Sequence, residues 1–145
     1  MLASGRGCRV LAELPEGSED SADSFLEGEF SVFHSYGGAI SKDVERMLAV
    51  FDFIASRGRQ QAARLFHEAN KDTHIYEFTK GDLRVYFAFM TELGQICLCS
   101  HSIRKKRTKA ASSDIHRAVA VRERFLAAQR SGSLQIVERK RGDRI

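Results

Sequence analysis

Between residues 75 and 102, apolar side chains either alternate with polar ones or run almost unbroken, in three short segments closed by turns. Residues 75–80 and 83–90 are separated only by Gly81 and Asp82, and a two-residue glycine-containing connection between such runs predicts a tight hairpin. In residues 83–90 the strand period of two sends Leu83, Val85, Phe87 and Phe89 to one face and Arg84, Tyr86, Ala88 and Met90 to the other. After a turn at Glu92, Leu93 and Gly94, residues 95–102 predict a third strand. An earlier apolar run, residues 8–14, predicts a first strand that ends at Pro15, the only proline in the chain, and Gly17.

Elsewhere the apolar period lengthens to that of a helix. In residues 41–56, Val44, Met47, Leu48, Phe51, Ile54 and Ala55 form one stripe, which predicts an amphipathic helix capped by Ser41 and ended by Gly58. Val50 and Phe53 lie off the stripe, so this helix has apolar surface left for a neighbouring helix or for a partner protein. Residues 60–70 predict a further helix with Ala62, Leu65, Phe66 and Ala69 inward. Ser18 reads as the cap of a short helix carrying Ala22, Phe25 and Leu26, and residues 28–40 as an ordered loop. Residues 114–130 predict a last helix, capped by Ser112 or Ser113, with Ile115, Ala118, Val119, Phe125 and Leu126 mostly on one side. The chain then reads as one α+β domain over residues 1–130, followed by a basic tail or added strand over 131–145.

Composition fits that reading, since 145 residues at 43% hydrophobic content suffice for one core. Charge changes the picture more. Residues 1–79 carry 8 Lys/Arg against 13 Asp/Glu, net −5, while residues 80–145 carry 15 against 6, net +9. The C-terminal half is the half suited to a polyanion. Three cysteines, an odd number without the spacing of a secreted scaffold, point to a reducing compartment. The N-terminal segment lacks the apolar core of a signal peptide, and no apolar run nears the ~18 residues that span a bilayer. A cytoplasmic protein without membrane partners is expected.

The order Ile75-Tyr76-Glu77-Phe78, Leu83-Arg84-Val85-Tyr86-Phe87, then Ile96-Cys97-Leu98 leading to His101 and Arg104-Lys105-Lys106 resembles the HigB-like, phage-derived branch of RelE/ParE-type toxins. The resemblance spans residues 75–126, 52 of 145. It implies a small RelE/ParE-like domain, a twisted and mainly antiparallel sheet of about four strands, with the N-terminal helices and the C-terminal helix packed on one side. It also implies the toxin of a type II toxin–antitoxin pair, with a helix-turn-helix antitoxin as partner. Many such toxins cut mRNA on the ribosome without a metal or other cofactor, whereas the ParE-like branch poisons DNA gyrase. Fold resemblance does not choose between these targets, and a non-catalytic basic RNA-binding domain is the third alternative. Two departures stand out: Thr79-Lys80 replaces an arginine common at the end of the first hairpin strand, and Thr108-Lys109-Ala110-Ala111 replaces a Thr-Pro before the last helix.

Metal-free RNA cleavage needs proton transfer at the 2′-hydroxyl and the leaving oxygen, and cations around the phosphate. Arg84, His101, Lys105 and Lys106 are the candidate catalytic residues. The guanidinium of Arg84 offers a bidentate fork to phosphate, and the imidazole of His101 titrates near neutrality. By the resemblance, Lys105 and Lys106 match the family's basic pair after this strand. Lys80, Tyr86, Arg104, Arg107 and Lys109 are the candidate RNA-binding residues, with Tyr86 placed to stack on a base. The structural alternatives are an ion pair of Arg84 with Glu77 or Glu92, a hydrogen-bonded His101 at a strand end, and a core role for Tyr86. Cys97, Cys99 and His101, spaced by two, would share a strand face, with Cys8, His74 or His116 as a fourth ligand. Same-face strand positions splay too widely for easy tetrahedral closure, so buried apolar cysteines and no metal are expected.

Overall fold

The computed structural model describes residues 3–12, 42–90, 95–104 and 110–134. In chain order these form β1 (Ala3–Ser4), β2 (Arg9–Ala12), α1 (Lys42–Arg57), a 3-10 turn (Ala63–Leu65), β3 (Phe66–Asn70), β4 (Ile75–Lys80), β5 (Leu83–Met90), β6 (Ile96–Arg104) and α2 (Ser112–Ser131). The helix read from Ser18, the loop over residues 28–40, the Ser41 cap and the tail after residue 134 lie outside the described residues. The strands form one sheet in the order β1-β2-β6-β5-β4-β3. Only β2 beside β6 runs parallel. The α+β class and the mainly antiparallel sheet hold, with six strands among the described residues where about four were expected.

The near-continuous apolar run of β5 has a simple cause, because β5 lies inside the sheet and is buried on both faces. Leu83, Val85 and Phe87 pack with Met47, Phe51 and Ile54 of α1. Tyr86, Ala88 and Met90 pack instead with Ile115, Ala118 and Phe125 of α2. The two helices therefore cover opposite faces, which corrects the expectation that they share one. A sheet apolar on both sides would otherwise leave one of them in water.

Residues 60–70 also differ from the expected helix. The helical spacing of Ala62, Leu65, Phe66 and Ala69 is overridden by β3, which pairs antiparallel with β4 through Phe66↔Phe78 and His67↔Glu77. As a strand residue Phe66 meets four rings edge-on: Tyr76 at 5.7 Å, Phe78 at 6.0 Å, Phe87 at 5.6 Å and Phe89 at 5.4 Å between centroids. Such cross-strand aromatic contacts, each about 0.5–1.5 kcal/mol beyond simple burial, outweigh a weak local preference.

Two glycines hold the elements in register. Gly58, with φ of 85°, stops α1 as its position in the sequence implies. Gly81, with φ of 57°, turns the β4–β5 hairpin. The loop between β1 and β2 is tied to the end of α1, where the Gly7 and Cys8 amides both donate to the Ala55 carbonyl, at 2.8 and 3.0 Å. At the other end of the chain, α2 starts two residues earlier than read. Ala111 is its N-cap without a side-chain hydrogen bond, so Ser112 and Ser113 lie inside the helix rather than capping it. Among the described residues no helix is long and apolar enough to cross a membrane.

Candidate functional site

A β-bulge decides what β6 presents on each face. Tyr86 pairs with His101 but Phe87 pairs with Cys99, so Ser100 is an extra residue in β6. Strict alternation would put Cys97, Cys99 and His101 together. The bulge instead leaves Cys97 and Cys99 in the core under α1, with Cys8, and turns His101 toward α2. Burial, and then the neighbouring Cys99, pushes the Cys8 thiol up to about 11. Burial also raises Cys97 well above the ordinary thiol range. These side chains act as small protonated core residues.

On the α2 face, register aligns His67 of β3, Glu77 of β4, Tyr86 of β5 and His101 of β6 in one cross-strand row. With strands about 4.8 Å apart, the row spans about 14 Å. His67 Nε2 lies 2.8 Å from Glu77 Oε1, with His67 exposed and Glu77 only 1% exposed. The Tyr86 hydroxyl interacts with the same carboxylate. Burial first, then the charges of Glu77 and Asp114, pushes the phenol far above its ordinary value and keeps it protonated. The ring centroids of Tyr86 and His101 lie 5.1 Å apart, with the planes tilted by 36°.

His101 ends the row with both nitrogens engaged. Its Nε2 is 2.9 Å from Asp114 Oδ1, in the first turn of α2, and its Nδ1 is 2.7 Å from Ser100 Oγ. Burial lowers its pKa, with the Arg117 charge adding, against the opposing hydrogen bond and charge of Asp114. The ring is therefore neutral near pH 7. Because the carboxylate can only accept, Nε2 carries the proton, and Nδ1 accepts from the Ser100 hydroxyl.

Arg84 sits two register positions nearer the hairpin, opposite Thr79 and Ile103. Its Nη1 donates to the carbonyl oxygens of Gly81 at 2.7 Å and Leu83 at 3.2 Å, while Nε lies 3.7 Å from Glu77 Oε1. A buried guanidinium is thus balanced by a buried carboxylate and two turn carbonyls. The neighbouring Thr79 hydroxyl has no hydrogen-bond partner among the described residues.

The structure brings Arg84, Tyr86 and His101 together, at 7%, 0% and 3% exposure. At that burial Tyr86 has no open ring face for a base, so its described role is packing. Lys80 is separate from them. It shares a row with Leu83, whose side chain packs under α1, and it lines a groove on that side of the sheet. Arg104 pairs with Leu83 at the end of β6. The Arg104 side chain and residues Lys105, Lys106, Arg107 and Lys109 lie outside the described residues.

Sequence reasoning missed one member of the row and both hydrogen-bond partners of the His101 ring. His67 was hidden by the helical reading of its segment. Asp114 and Ser100 became visible only once the bulge had turned His101 toward α2. Glu77 carried a legible signal, a carboxylate among apolar neighbours in a strand. No protein-family model matches the chain, and no curated protein matches it either.

Proposed function

We propose that the chain is the toxin of a type II toxin–antitoxin pair, a metal-independent mRNA endoribonuclease that acts on translating ribosomes. One observation carries the reading. Arg84 and His101 stand on one sheet face on neighbouring strands, two register rows apart, at the end of the sheet from which the cationic residues 104–109 follow in sequence. The likeness of this ordered set to HigB-like toxins and the net +9 of residues 80–145 support it.

In this proposal Lys105 and Lys106 meet the scissile phosphate and offset its developing charge. Arg84 and His101 supply a rigid polar wall on the sheet, with Asp114 fixing the ring. Attack of the 2′-hydroxyl oxygen on phosphorus expels the 5′-oxygen and leaves a 2′,3′-cyclic phosphate, the proton passing from the first oxygen to the second.

Induced expression should arrest growth and cut translated mRNA, and a Lys105→Ala/Lys106→Ala variant should do neither. Normal growth with intact mRNA in cells that accumulate the folded wild-type chain would sink the reading. The second reading, a non-catalytic RNA-binding domain, draws on the occupied nitrogens of His101. It expects RNA binding that weakens steeply with salt and no cleavage.

A further inference from the structure

The side of the sheet opposite the polar row carries a second feature. Phe53 of α1, at 42% exposure, is the one large apolar side chain left exposed among the described residues. It lies in an open groove of about 840 Å³ floored by Val50 and Leu65. Arg46, Arg64 and Lys80 line the same groove, and the lining contains no carboxylate among the described residues. Gln60 and Gln61 add amides that both donate and accept. Apolar surface alone would leave the occupant open, but the cations Arg64 and Lys80 select a polyanion and the amides suit polar edges.

We infer that this groove binds single-stranded RNA, with Phe53 as a stacking platform for a base and Arg64 and Lys80 on the flanking phosphates. A strand of RNA offers both things the groove provides for, a flat π-face and a regular line of negative charge. An acidic peptide matches the charge but has no planar group at each repeat. Position supports the assignment as well. Lys80, Leu83 and Arg104 form one cross-strand row, so the groove edge lies about 10 Å from the end of β6. RNA held at that strand end therefore has a short path to the groove. The choice of RNA over another single-stranded polyanion rests on the function proposed above; the groove and its chemistry do not.

The test uses a fluorescent, unstructured 12-nucleotide RNA with 2′-O-methyl riboses, which cannot be cleaved by 2′-hydroxyl attack. Its affinity for the full chain is followed by anisotropy across a salt series. Phe53→Ala should weaken binding about tenfold with little change in salt dependence. Arg64→Gln and Lys80→Gln should each flatten the slope of log affinity against log salt by about 0.7. All three side chains are at least partly exposed, and unchanged urea midpoints would verify folding. Unchanged RNA affinity in all three folded variants overturns the inference. So does selective loss of binding to a labelled oligoglutamate, or conversion of a dimer to a monomer by Phe53→Ala in light scattering. If cleavage of unmodified RNA persists while the groove variants bind normally, the groove assignment falls and the endoribonuclease reading stands.

Discussion

Replacing Arg84 by methionine separates a structural guanidinium from a substrate-binding one. The substitution keeps most of the side-chain stem but leaves Glu77, 1% exposed, without the cation 3.7 Å away. At that distance and an effective dielectric constant of about 20, the attraction removed is about 4 kcal/mol. Breaking one partner out of a buried pair costs about 3–5 kcal/mol by mutational experience, in line with that figure. The turn would lose more, because the Gly81 and Leu83 carbonyl oxygens give up their bonds from Nη1. Urea unfolding at pH 7, followed by far-UV circular dichroism, should show a midpoint lowered by about 2 M, for a slope near 2 kcal/mol per molar. Adding Glu77→Gln should restore about 1–2 kcal/mol, since a neutral amide is less costly to bury than an unbalanced carboxylate. A loss below about 1 kcal/mol, or a double variant no more stable than the single one, would refute the reasoning. It would show that Arg84 is not what balances Glu77.

Two further outcomes follow from the same geometry. His101 has a lowered pKa in the folded chain, so the unfolded chain takes up a proton near the ordinary histidine value of 6.5 while the folded one resists. Its contribution is full above that pH and is lost as pH falls below it, with a slope of at most about 1.4 kcal/mol per pH unit. His101→Asn should flatten the stability profile between pH 7 and 5, and an unchanged profile would show that another group sets it. A methyl group on Gly7 would come within 2.2 Å of the Gly58 backbone nitrogen, so Gly7→Ala should cost about 2–3 kcal/mol in the same unfolding assay. A variant with wild-type stability would mean that the β1–β2 loop is not clamped to the end of α1.

Much of the fold was legible because it rests on short-range periodicity. The stripe of α1, the two-faced alternation of β5, the Gly81 turn and the stop at Gly58 each follow from local geometry and a few neighbours. The site was legible only in outline. Arg84, Tyr86 and His101 share a face, but alternation along β6 alone would have placed His101 with Cys97 and Cys99.

The sequence by itself determined a chain apolar enough on both sides of β5 to need a cover on each, and a C-terminal half rich in cations. The tertiary structure decided the rest. It made residues 66–70 an edge strand, because Phe66 gains four aromatic neighbours there that no helix would reach. It placed the bulge at Ser100, which set His101 against Asp114 of α2, and it closed Glu77 around Arg84. Strand register and edge pairing depend on residues distant in the chain, and a one-residue insertion reverses every later side chain. That is why the polar row, and not the helices beside it, required the folded molecule to be seen.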